Sequence, residues 1–495
     1  MTTSLSHPES SVRTAIGQVD IDSRVAKYTT YRIKHTLASR FAFLTICLAI
    51  ILSALAYGTV HYWALALFFL GAVAVVILWV VDSWNLGTIR LNRNPLQFPL
   101  IGMLLLGIVQ LLPLRSPGAS GLSVPFVKSL SLDPYSTRLV LVQTCALLIY
   151  FGATLVFTDT PKRLRILVRT IIIFGFLLAI FGLTQSFTSP NKIYWLREMA
   201  QATPFGPFIN RHHFAGYMEL ALALPLGLLA SGSVAREKRI IYAFVAGLMA
   251  VALLMTNSRG GLISLGAEIL FIAVIGFGVK KRNKNISSIT HGIKSVAVRA
   301  TLALGLVVAL MVGLAALGGE DALNRVVGTV NSEDPTTGRL HFWDVTVDII
   351  KSHPIIGTGL GAFGVVYTGY DSRNGLYRLE QAHNDYLQVL SDGGIVGALL
   401  GLFFIVNLFR LGFMRRESRD EFRRGVATGA MAGCFAVLVH SFFDFTLHTP
   451  ANALLFLVLC ALATMNGRVE DVQNRRKTHR RRDRRTSPVQ DAAAV

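Results

Sequence analysis

Three side chains stand where chemistry can be done: Arg259, Arg339 and His383. Arg259 lies in Thr256-Asn257-Ser258-Arg259-Gly260-Gly261, which joins two apolar runs with almost no loop between them. A charge at that depth is costly, and it ordinarily faces a cavity or a partner. Gly260 and Gly261 would permit the tight turn and close approach of a ligand. The expected role is anion binding; the competing reading is an arginine snorkelling to the headgroups.

Arg339 follows Asp334-Pro335-Thr336-Thr337-Gly338 and precedes Leu340–Lys351, where Leu340, Trp343, Val347 and Ile350 recur at helical spacing. This reads as an amphipathic helix capped by a threonine and ended near His353-Pro354. A cation in the first turn opposes the helix dipole, so a bound anion would explain it. A plain surface arginine is the alternative. His383, in Ala382-His383-Asn384-Asp385-Tyr386-Leu387, is expected at a helix start leading into an apolar run near Gly394. A helix N-terminus favours the neutral imidazole that a general base needs. The alternative is a local cap or packing residue.

A membrane must position these groups. The chain has 495 residues, 52% of them hydrophobic and 15% charged, with a mean hydropathy of +0.52. Soluble chains carry about 25% charged residues, and a bilayer core takes about 20 apolar residues per helix. Twelve spans are expected, at 41–57, 61–81, 98–114, 137–157, 170–187, 213–230, 240–256, 261–279, 297–317, 394–411, 425–441 and 451–466. The fold class is therefore an all-α polytopic membrane protein of about twelve transmembrane helices, with a large helical periplasmic loop between spans 9 and 10.

Orientation follows from charge. Alternate connections are basic, among them Arg90 and Arg93, Lys162 to Arg169, Arg236 to Arg239, Lys280 to Lys284 and Arg415 to Arg424. Basic short loops mark the cytoplasmic side. The loop at 318–392 carries ten acidic residues against five basic ones, so it is expected outside. The membrane domain then spans 41–466, between a cytoplasmic N-terminal tail (1–40, too long and polar for a secretory signal) and a basic cytoplasmic C-terminal tail (467–495).

The net charge of +20 is concentrated in the inward loops and in Arg475 to Arg485. It points to anionic lipid headgroups rather than to nucleic acid. Cys47, Cys145, Cys434 and Cys460 all sit in apolar runs, with no zinc or redox spacing. No metal cluster is evident, and Glu333-Asp334 reads as a solvated turn. Gly357-Thr358-Gly359-Leu360-Gly361-Ala362-Phe363-Gly364 looks like a phosphate loop when taken alone. On the outward side it is expected to be a turn that re-aims the chain toward the membrane.

The ordered set resembles the O-antigen ligase and polymerase superfamily. The residues that carry the likeness are Ser258-Arg259-Gly260-Gly261, Gly338-Arg339-Leu340 with Trp343, Pro354 to Gly359, and His383 to Leu387. They are flanked by Phe208 to Gly216 and His440 to Asp444, and the likeness covers about 205–450.

The resemblance implies a metal-independent glycosyltransferase without cofactor. Its donor would be a glycan on undecaprenyl pyrophosphate, and its acceptor a lipid-core sugar (ligase) or another lipid-linked repeat (polymerase). Onto this chain it carries Arg259 and Arg339 as pyrophosphate-binding arginines and His383 as the base. Arg211, Asn384, Asp385, His440 and Asp444 become supporting residues. The location implied is the bacterial inner membrane, with a periplasmic site. A polytopic transporter is the rival of another class; the sequence offers it no repeated halves and, as read, no charge deep within paired spans.

Overall fold

The computed structural model describes residues 35–114, 128–199, 202–275, 339–372, 379–418, 420–466 and 469. The tails, the span expected at 297–317, Lys280 to Lys284 and much of the 318–392 loop lie outside the described residues.

The chain is an all-α polytopic membrane protein. In order it forms α1 (Leu37–Leu55), α2 (Tyr62–Leu86), α3 (Gln97–Gln110), α4 (Pro134–Phe157), α5 (Pro161–Thr188), α6 (Arg211–Ala230), α7 (Arg239–Met255), α8 (Arg259–Ile275), α9 (Arg339–Ser352), α10 (Phe363–Tyr370), α11 (Asp385–Arg416), α12 (Glu421–His440) and α13 (Pro450–Thr464). A two-stranded hairpin pairs Lys192–Ile193 with Arg197–Glu198. Eight helices among the described residues are long and apolar enough to cross a membrane, and α3 and α13 are shorter apolar helices.

Two boundaries differ most from expectation. The span expected from Thr170 begins at Pro161, because Thr160 caps it and proline is tolerated in a first turn. The span expected from Gly394 begins at Asp385, and Gly394 is an interior break with φ 60° and ψ −159°. Into that break docks the glycine stretch, a turn as expected. Ile395 N–H and Val396 N–H donate to the carbonyls of Pro354 and Ile355 at 2.8 and 3.2 Å, and Thr358 N–H and Gly359 N–H donate to those of Ser391 and Asp392. Gln110 clamps the loop from α3 through Ile356 O and Leu360 N–H.

α6, α12 and α13 are buried almost all round and form the centre of the bundle, whereas α2 and α7 leave most of their apolar surface exposed for lipid. Gly425, Gly429 and Gly433 recur every four residues on α12. They face Leu220, Ala223, Leu224 and Leu228 of α6, with Gly227 against Gly429. Small residues at that spacing let helix backbones touch, which is how helices associate without a hydrophobic driving force.

At one end of the bundle, basic residues counted as inward loop charge are partly built in. Arg90 pairs with Asp82 and Asp159, and Arg163 bonds Asp159 and Ser39. Arg423, fully buried, donates to the carbonyls of Leu462, Ala463 and Met465 and so satisfies the end of α13. At the other end, Val345, Ile349, Phe363, Val366, Tyr367 and Ala382 form a small second core that packs α9 and α10 beside the start of α11. The candidate site lies at that end.

Candidate active site

α6, α8, α9 and α11 all begin at this end and α12 finishes there. The turn after α12 is built on its last residue: the His440 carbonyl accepts from Phe443 N–H at 2.8 Å and Asp444 N–H at 3.1 Å. That turn carries Asp444, whose side chain is only 2% exposed yet is reached by three basic groups. His383 Nδ1 lies 3.3 Å from Oδ1. His212 Nδ1 and Arg339 Nη2 lie 3.8 and 3.9 Å from Oδ2. Arg339 also donates through Nη1 to the Phe443 carbonyl. Each of the three bases keeps about a quarter of its side chain exposed, so a buried carboxylate floors a partly open basic site.

Burial alone would raise the Asp444 carboxyl. The His383 hydrogen bond and the His212 and His213 imidazoles outweigh it and hold Asp444 well below the usual carboxylate range. A carboxylate facing Nδ1 selects the tautomer in which Nδ1–H donates and Nε2 keeps its lone pair. The sequence assigned that preparation of the imidazole to the helix end; here a carboxylate 61 residues away does it.

His383 itself is in the left-handed region, with φ 51°, which a residue with a Cβ keeps only where its surroundings over-determine it. They do. Trp343 Nε1 donates to the Ala382 carbonyl at 3.1 Å, and Ala382 N–H donates to Gln388 Oε1 at 2.7 Å. Asn384 caps α11 through Tyr386 N–H and Leu387 N–H. Asp385 is stapled to Ser441 through backbone and side chain, at 2.9 and 2.7 Å. Phe445 meets the imidazole edge-on at 4.8 Å. Asn384 and Asp385 thus hold the backbone on which His383 is presented.

Arg259 opens α8 and is exposed. The residue before it, Ser258, is buried and hydrogen-bonds His212 Nδ1 at 2.8 Å. The left-handed residue of this turn is Asn257, not either glycine. Gly260 and Gly261 lie inside α8 and serve packing: a Cβ on Gly260 would come within 2.6 Å of the His440 ring.

Of the sequence candidates, Arg339, His383 and Asp444 meet directly, and Arg259 joins them through its turn. Arg211 is half-buried at the start of α6; the neighbouring His212, absent from the candidate set, is the one that reaches Asp444. His440 lies beneath the site, its Nδ1 2.8 Å from Glu219 Oε1, both side chains fully buried. Glu219 and Glu268 were missed. They correct the reading that the spans hold no deep charge, and single acids inside the α6 and α8 apolar runs were the available signal. Among the described residues, no group of three or more His, Cys, Asp and Glu is arranged to hold a metal.

Residues 244–402 match the family described as O-antigen ligase. The chain carries a domain of the O-antigen ligase superfamily. The matched stretch runs from α7 into α11 and contains Arg259, Arg339 and His383. No curated protein matches the chain. That match supports a multi-pass membrane enzyme of the O-antigen ligase or polymerase type, acting on lipid-linked glycans.

Proposed function

We propose that the protein transfers a glycan from undecaprenyl pyrophosphate to an acceptor sugar, with inversion and without a metal, on the periplasmic face of the bacterial inner membrane, both termini being cytoplasmic. The observation that carries this reading is the convergence on one face of His383 and Arg339 at Asp444, with Arg259 following Ser258, which bonds the third base, His212. The acceptor hydroxyl oxygen attacks the anomeric carbon while its proton passes to His383 Nε2. The bond from that carbon to the pyrophosphate oxygen breaks, and its electron pair leaves with the pyrophosphate. Asp444 stabilises the imidazolium as it forms. Charge grows on the departing oxygens, and Arg259 and Arg339 hold it in the bidentate manner of guanidinium groups.

A retaining route needs a second carboxylate free to attack. Asp444 is buried under the bases and Asp385 is bonded to Ser441, which favours direct displacement. An O-antigen or exopolysaccharide polymerase, with a lipid-linked repeat as acceptor, uses the same donor chemistry and is the near alternative. A transporter would draw on Glu219 and Glu268, but the basic groups that meet at Asp444 lie together at one end of the bundle rather than along a path.

Purified protein in lipid vesicles should move a glycan from a synthetic undecaprenyl-linked donor to an acceptor at the same rate with and without EDTA. Flux of the lipid-linked glycan with no new glycosidic bond would favour transport, and loss of transfer in EDTA would overturn the metal-free route. Orientation has its own test, in a background lacking the exposed Cys145. A cysteine at the exposed Ile355 should react with an impermeant thiol reagent in intact spheroplasts, and one at Lys238 should not. The opposite pattern puts the site on the wrong face for this chemistry.

A further inference from the structure

Glu219 in α6 and His440 at the end of α12 form an ion pair of 2.8 Å with no solvent exposure on either side. Glu268 of α8 is buried nearby, with both carboxyl oxygens lacking a hydrogen-bond partner among the described residues; Glu219 Oε2 and His440 Nε2 also lack one. Such a cluster is poor stabilisation. Ionisable groups in a bilayer core are expensive, and well-packed apolar side chains commonly replace a buried ion pair at no loss of stability.

Its placement is more informative. The three acids and bases sit on α6, α8 and α12, the helices whose ends present His212, Arg259 and Asp444. The carbonyl of His440 organises the turn bearing Asp444, and its ring lies directly under Gly260, next to Arg259. The hydrogen bond from His440 Nδ1–H to Glu219 Oε1 fixes the rotation of that ring. The ring in turn fixes the distance between the Asp444 turn and the Arg259 turn.

We propose that Glu219 and His440 are a positioning pair, which acts through Asp444 to aim His383 and keeps the arginine turn in register. The proposal rests on the roles given above to Asp444 and His383. Near-attack geometry tolerates little error, and a displacement of about 1 Å can cost about 10²-fold.

The test compares two variants in lipid vesicles. Glu219→Leu with His440→Phe keeps a flat ring beneath Gly260 and removes the polar pair. It should melt at or above the wild-type temperature, keep the donor KM and lose about 10²-fold in kcat. Glu219→Gln retains an acceptor oxygen for Nδ1–H and should recover most of that loss. Wild-type kcat in the double variant overturns the proposal. So does its failure to accumulate, which would make the pair a structural requirement, and so does a loss in Glu219→Gln as large as in the double variant. Asp444→Asn is the control for the underlying reading: full activity there defeats the His383–Asp444 mechanism itself, whatever Glu219 does.

Discussion

His383→Gln should lose about 10²–10⁴-fold in transfer rate, the usual contribution of a positioned general base, while still binding donor. Glutamine keeps size and polarity but cannot take a proton, so it should be as defective as alanine. The pH profile separates this role from packing. In wild type, activity should fall toward acid, because a protonated imidazole cannot accept the proton of the acceptor hydroxyl.

Asp444 does not produce that limb. Its carboxyl is held well below the usual range, so it remains charged throughout the window in which an imidazole titrates. A depressed folded pKa gives stability that is present above the unfolded value and is lost only as pH falls through the folded one. Loss of rate at mildly acid pH therefore does not come from Asp444. His383→Gln should lack the limb, and Asp444→Asn, which no longer selects the donating Nδ1–H tautomer, should be slowed comparably. Robust turnover by His383→Gln with an unchanged acidic limb would leave His383 a structural residue.

Arg259→Lys and Arg339→Ala carry the second large effect. Removing one preorganised donor from a developing anion costs about 10²–10³-fold. Lysine keeps the charge of Arg259 but not the planar fork, so Arg259→Lys should stay strongly impaired. Arg259 is exposed, and its replacement should leave folding intact. Arg339→Ala should weaken donor binding and chemistry together. It also gives up the bond to Phe443 and the approach to Asp444, so comparing its melting temperature with wild type is part of the measurement. Wild-type transfer by both variants, accumulated normally, would remove the pyrophosphate clamp.

What could be read in advance follows from the range of each interaction. The spans were legible because hydropathy is local, and the expected limits of α4, α6, α7 and α13 fall within about three residues of the helices observed. Arg259 and Arg339 stood out because charge at the end of an apolar or amphipathic helix is locally anomalous. The partners of these residues were not legible. Glu219 and His440 are 221 residues apart and Asp444 is 61 from His383, and nothing within one helix announces which neighbour it will face.

His212 shows the same limit at close range. It and Arg211 are consecutive at a helix start, where successive side chains point in well-separated directions, and only the packing of α6 against the Asp444 turn decides between them. The glycines misled for a related reason. Gly260 and Gly261 looked like the turn, yet Asn257 makes it, because the demand on Gly260 comes from the His440 ring across the interface.

The most direct test of the whole account is the anomeric configuration of the product. Wild-type protein in lipid vesicles would be given an undecaprenyl-pyrophosphate donor of defined configuration and a defined acceptor, and the new glycosidic bond read by NMR. Direct attack assisted by His383 predicts complete inversion, with release of undecaprenyl pyrophosphate in equal amount. A product of retained configuration would mean a covalent glycosyl intermediate for which this account provides no nucleophile, and would contradict it.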